Sequence, residues 1–245
     1  MFFRMVIAAT VAGLSTFSGC QDDNNGSLLN DRATLYFHNQ LTQFTGGSSD
    51  DVTVNLFVDD LNTALRSGEV YSTTGSVSSD SVKLADSADT LAFDVTGKAG
   101  STLISGPVNF RLTQGEGYTL VLMGDTSLDN RQLKLFRQVS QTVSSSQASI
   151  RFINTLSQLD PDQLSVAQGS NTLVEKLDYG VASSYVTLTG SGNLSFTIND
   201  QTQGLALDTV SCNLSAGRSY DAIIAYRQFD SQDDDLALYC QPVAR

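Results

Sequence analysis

The chain has 245 residues, 26 acidic against 14 basic, and a formal net charge of −12. Such a balance lacks the basic face that phosphate backbones and anionic headgroups need, which argues against nucleic acid as a partner. One histidine, three cysteines and no tryptophan leave too few ligands for a zinc centre and no tryptophan platform for a sugar-cleaving site.

The chain opens MFFRMVIAATVAGLSTFSGC, in which Arg4 is the sole charge and Met5 to Ser18 is apolar or small. That is the length of a secretory signal and too short to span a membrane as a helix. Phe17-Ser-Gly-Cys20 resembles a lipobox, with Phe17 where Leu is usual. The resemblance implies a lipoprotein signal peptide over residues 1–19 and lipid, of the diacylglycerol and palmitate kind, on the Cys20 thiol. The alternative is an ordinary cleaved signal with an incidental cysteine. Gln21 follows, whereas Asp there would resemble an inner-membrane retention signal, so an outer membrane of a Gram-negative envelope is the expected address. Residues 20–32 are polar and aperiodic, a flexible tether with a reach on the order of 20 Å.

Beyond the tether the sequence repeats itself. Ala33-Thr-Leu-Tyr-Phe-His-Asn39 matches Ala148-Ser-Ile-Arg-Phe-Ile-Asn154, and Val82-Lys-Leu84 matches Val186-Thr-Leu188. Leu91-Ala-Phe-Asp-Val95 matches Leu194-Ser-Phe-Thr-Ile198, and Val108 to Gly115 with Tyr118 matches Val210 to Gly217 with Tyr220. Leu133-Lys-Leu135 then matches Leu236-Ala-Leu238. Collinear matches with drifting offsets are two copies of one module, with the gaps in loops. Apolar and polar residues alternate, Leu35 and Phe37 against Tyr36 and His38, which means short strands with one buried face. The expected fold class is all-β: two tandem antiparallel β-sandwich modules, immunoglobulin-like in shape, of six to eight strands each. The first repeat spans residues 33–140, a polar linker 141–147, and the second repeat 148–245. With Cys20 lipidated, Cys212 and Cys240 remain, and in an oxidising envelope they most simply form a disulfide; two buried free thiols are the alternative.

Leu177-Asp-Tyr-Gly-Val-Ala-Ser-Ser-Tyr185 resembles the central motif of a bacterial envelope family, domain of unknown function 4397. So do the strands ending at Asn39 and Asn154, the segment Val54-Asn-Leu-Phe-Val-Asp59, and the turn Leu214-Ser-Ala-Gly217 before Tyr220. Copy one lacks the Tyr-Gly before Ser78-Ser79, and the family's usual Ser-Pro-Asp directly after the Asn is missing from both copies, with Asp160-Pro-Asp162 as the alternative, a displaced remnant. The resemblance implies a sandwich module of the envelope and implies no activity.

Chemistry is sparse. Serine catalysis needs a base; the one histidine, His38, reads as an outward strand residue, and no nucleophile elbow is present. The expected catalytic set is none, with no cofactor. Asp50-Asp51, Asp59-Asp60 and above all Asp233-Asp234-Asp235 are the calcium candidates, weighed against plain solvated turn carboxylates. Tyr179 and Tyr185 are the candidates for a ligand surface, weighed against capping of the core, with Gly180 at positive φ. Tyr118 and Tyr220 resemble corner tyrosines. The expected function is a non-enzymatic envelope lipoprotein, structural or protein-interacting, held by lipid and meeting another envelope protein or a surface polymer. A glycan- or calcium-binding module working through acidic loops is the alternative.

Overall fold

The computed structural model describes residues 31–44, 48–59, 62–99, 103–157, 163–230 and 235–244, and no helix occurs among them. The signal, the tether to residue 30, Cys20, Asp60, Asp233 and Asp234 lie outside the described residues. The first half carries β1 (Arg32–Thr42), β2 (Val54–Val58), β3 (Ala64–Glu69), β4 (Ser79–Lys83), β5 (Ala88–Gly97), β6 (Leu103–Thr113), β7 (Gly117–Asp125) and β8 (Gln132–Arg137). The second carries β9 (Gln147–Asn154), β10 (Gln163–Gln168), β11 (Asn171–Asp178) and β12 (Val186–Thr189). It continues with β13 (Gly192–Asp200), β14 (Leu205–Leu214), β15 (Ser219–Tyr226) and β16 (Leu236–Pro242).

The strands form four sheets of four, in the orders β4-β1-β7-β8 and β3-β2-β5-β6, then β12-β9-β15-β16 and β11-β10-β13-β14. Adding eight to every label of the first pair gives the second. The protein is therefore all-β, two sandwiches of one topology. Each sandwich closes over its own core: Leu35, Phe37, Leu56, Phe93, Leu120 and Leu122 in the first, Ile150, Phe152, Phe196, Ile198, Ala222 and Ile224 in the second. One expectation changes in detail: the pairing is not wholly antiparallel. β1 runs parallel to β7, with Leu35 beside Tyr118, and β9 runs parallel to β15, with Ile150 beside Tyr220.

Two of the matched segments also shift. Leu133 sits opposite Leu122 and Leu238 opposite Ile224, so the partner of Leu133 is Leu238 rather than Leu236. Ala33 faces Val82 while Ala148 faces Leu188, so Val82 corresponds to Leu188 rather than Val186. A slip of two residues keeps every side chain on its own face, so alternation alone does not register it.

A third apolar cluster joins the sandwiches. Val121, Met123 and Phe136 of the first meet Ile153, Ile223, Ala225 and Tyr239 of the second. The β1 and β9 sheets thus lie back to back, and the molecule is four layers deep. Their central strands, β7 and β15, are buried at every position. That explains Leu120-Val-Leu-Met123 and Ala222-Ile-Ile-Ala225, unbroken apolar runs where a half-exposed strand would alternate.

Candidate functional site

Several singled-out residues are framework, and the repeat shows it. Asn39 is buried; its amide donates to the carbonyls of Val52 (2.7 Å) and Glu69 (3.0 Å), and its side-chain oxygen accepts from Leu41 N–H (3.1 Å). Asn154 repeats this, donating to Leu177 O (3.1 Å) and accepting from Leu156 N–H (3.0 Å). The Tyr118 hydroxyl accepts from Thr113 N–H and that of Tyr220 from Ser215 N–H, both at 2.9 Å, so both are corner tyrosines.

The Asn clamps also supply an alignment that the sequence hid. Glu69 stands where Leu177 stands, so Tyr71-Ser72 is the first copy's version of Tyr179-Gly180; Ser72 N–H donates to Asn39 O (2.8 Å) as Gly180 N–H does to Asn154 O (2.9 Å). Both tyrosines reach across to the other repeat. Tyr71 donates to Tyr226 O (2.7 Å) and Tyr179 to Asn130 O (3.0 Å). Gly180 has φ 70°, as its turn requires.

Between the back-to-back sheets lies a polar knot. Asp221, fully buried, pairs with Arg151 through Nε (2.7 Å) and Nη2 (2.9 Å), and accepts from the Tyr185 hydroxyl (2.7 Å) and the Thr119 hydroxyl (2.6 Å). Thr119 in turn accepts from Gln138 (3.0 Å), whose side-chain oxygen takes Ala244 N–H (2.9 Å). The Arg151 guanidinium lies 4.9 Å from the Tyr185 ring centre, and burial raises the Tyr185 phenol above its ordinary range, reinforced by Asp221. Every charge here is paired, as burial demands. Tyr185 is therefore part of this interface, as Tyr179 is.

His38 corrects the sequence reading. It does face away from its own core, but into the second repeat, and it is fully buried. Neither ring nitrogen makes a hydrogen bond of regular geometry. Burial lowers its pKa to about 4, with the nearby Gln241 side chain and Asp221 opposing only partly. It is a neutral packing residue, which leaves no imidazole at the surface to act as a base.

The two tyrosine crossings mark equivalent ends of the interface, yet the ends differ. At the Tyr179 end a side chain on Gly180 would meet Gln132 Oε1 at 2.9 Å and Lys134 Cε at 3.5 Å: that end is filled. At the Tyr71 end the register puts Ala237 in place of Gln132 and Tyr239 in place of Lys134, and a cleft of about 560 Å³ opens. Val52, Val70 and Tyr71 form one wall; Phe229, Ala237 and Tyr239 form the other, with Arg227 at the rim. Burial raises the Tyr71 phenol well above its ordinary range, the neighbouring tyrosines adding to it. It also pushes Tyr239 up to about 12, partly offset by Arg227. Both phenols are neutral donors and both are committed, Tyr71 to Tyr226 O and Tyr239 to Arg227 O (3.2 Å). Such a cleft has the size of a small-ligand or side-chain pocket and a mostly apolar floor. β1 starts at Arg32 and ends at Thr42 beside the loops that build the cleft, a run of eleven residues, or about 35 Å. The cleft therefore sits at the end of β1 far from Arg32.

The acidic candidates are turn residues where they are described. Asp51 accepts from Ser48 N–H (2.7 Å), Asp50 pairs with Lys98 (2.7 Å), and Asp59 accepts from Ala92 N–H (2.9 Å). Asp235 pairs with Arg227. No group of three or more metal-ligating side chains is assembled among the described residues. Cys212 and Cys240 form the expected disulfide, linking β14 to β16 across the second sandwich.

No family model matches the chain, and no curated protein matches it. Among solved structures, one described for alpha-glucan binding by a streptococcal virulence factor is 11% identical, covers 86% of this chain and 97% of its own, and has a TM-score of 0.26. A putative cell adhesion protein from Bacteroides fragilis is 13% identical over 88% of this chain and 98% of its own, with a TM-score of 0.18. Superpositions this loose transfer neither a ligand nor an interface.

Proposed function

We propose that the protein is a non-enzymatic lipoprotein of the cell envelope, held by lipid on Cys20 in an outer membrane. Its two repeats serve as one protein-interaction body. The observation that supports the reading is the construction of the cleft: its walls come from different repeats, locked by a buried interface, and it lies at the end of β1 far from Arg32. A pre-formed concavity displayed away from a membrane is suited to holding something else in the envelope. The burial of His38 in the interface and the engagement of the cleft phenols with backbone carbonyls support a reading of binding rather than catalysis.

Two measurements test this. Intact mass of protein extracted from native membranes is expected to show a chain beginning at Cys20 with added acyl mass, gaining two hydrogens on reduction. An unlipidated mass would refute the anchor. A photo-crosslinking residue at Val70, on the cleft lip, is expected to capture a defined envelope partner in living cells. A residue at Leu205, equally exposed and outside the cleft, serves as the control; equal capture at both positions would refute the cleft as the interaction face.

A further inference from the structure

We infer that the open cleft seats an extended protein segment bearing an apolar side chain flanked by basic residues. This rests on the interaction reading and names the chemistry of the partner.

The floor selects against polar groups. The hydroxyls of Tyr71 and Tyr239 donate to the carbonyls of Tyr226 and Arg227, so an anion or a carbonyl buried against them would find no free phenol donor there. An apolar side chain loses nothing on entering and covers Val52, Ala237 and the two tyrosine rings. The lip adds Val70, at 60% exposure the most exposed large hydrophobic residue in the described structure. Exposed apolar surface continuous with a concavity extends the apolar area a bound segment would cover.

Charge completes the specification. Arg227, the one cation of the lining, is neutralised by Asp235 and hydrogen-bonded to Leu236 O (2.9 Å). Asp51 and Asp230 border the lining segments, are exposed, and take part in none of the ion pairs among the described residues. The whole chain carries −12. A negative rim on a negative molecule attracts basic flanks and repels acidic ones. The opposite end of the interface carries Gln132 and Lys134 where this end has Ala237 and Tyr239, and both side chains lie close over its turn glycine, Gly180.

The test is fluorescence anisotropy on the detergent-solubilised full chain. The probe is a fluorescein-labelled, C-terminally amidated peptide of sequence Gly-Lys-Leu-Phe-Lys-Gly. The controls replace both lysines by glutamate, or Leu-Phe by Ser-Ser. The lysine peptide is expected to bind at least tenfold tighter than either control and to weaken as salt is raised. Ala237→Gln is expected to weaken it at least tenfold, while Gln132→Ala at the filled end leaves it unchanged. Val70→Lys, at an exposed position that does not test folding, is expected to weaken the lysine peptide and strengthen the glutamate one. Equal binding of all three peptides, indifference to both Ala237→Gln and Val70→Lys, or displacement by the neutral glucan maltoheptaose would each overturn the inference. The wider interaction reading fails separately, through the Val70 crosslink in cells.

Discussion

The two repeats share every strand and every sheet neighbour, yet each is held closed by different means. The second is stapled between its sheets by Cys212 and Cys240. At the matching positions the first has Phe110, edge-on to Phe93 at 5.5 Å, and Leu135, both packed on its core. Their facing surfaces have also diverged into complements. Asp221 is the counterpart of Thr119, and the two now hydrogen-bond to each other; Arg151 is the counterpart of Tyr36, His38 of Ile153. A duplicated strand plan has kept its backbone devices, the Asn clamps and corner tyrosines, while its contact faces became a lock and a key.

That comparison can be broken at its charged centre first. Asp221→Ala strands Arg151 in the interface and is expected to cost about 4 kcal/mol of unfolding free energy in urea titration. Replacing Arg151 and Asp221 together by Met and Leu is expected to cost much less. Reducing the disulfide, whose cysteines are 28 residues apart, is expected to lower stability by about 3.5 kcal/mol, and the first repeat has no equivalent loss to suffer. If the loss is absent, the staple is redundant with the packing that Phe110 and Leu135 supply in the first copy.

The interface histidine gives a pH signature. Unfolded, His38 takes a proton near the ordinary imidazole value of 6.5; folded, only near about 4. Between those values the unfolded chain binds a proton that the folded chain does not, so stability falls as pH drops through that window, by about 3 kcal/mol in all. His38→Ile, which installs the residue of the second repeat, is expected to flatten the urea midpoint between pH 7 and pH 4. The smallest effect sharpens the likeness instead. Asn39→Ala and Asn154→Ala are each expected to cost about 2 kcal/mol, because each leaves buried backbone groups unpaired. Losses differing by more than a factor of two would mean that the clamps are not equivalent.

The strand plan was legible because period two and turn clusters are local properties of the chain. The disulfide was legible by subtraction, since only Cys212 and Cys240 remain after Cys20. His38 was misread because alternation says that two faces differ, not that one of them meets water. The corrective signal stood in Leu120-Val-Leu-Met123, an apolar run that no one-sided strand needs. Tyr71 escaped because the loop before β4 is longer than its counterpart before β12, and the two clamps had to be seen before the tyrosines could be paired. The cleft was beyond reach, built as it is from residues of both repeats, among them Ala237 and Tyr239, whose equivalence to Gln132 and Lys134 depends on the corrected register.

The placement of β1 also has a mechanical side. It is the first strand among the described residues, it lies between β4 and β7, and nine of its residues register with β7. A pull between Arg32 and something gripped at the far end acts along the strand, while its hydrogen bonds point across to its neighbours. The load then falls on all those bonds in shear, rather than on one at a time as when a hairpin is unzipped. Tension applied at Arg32 is resisted by the middle of the sheet.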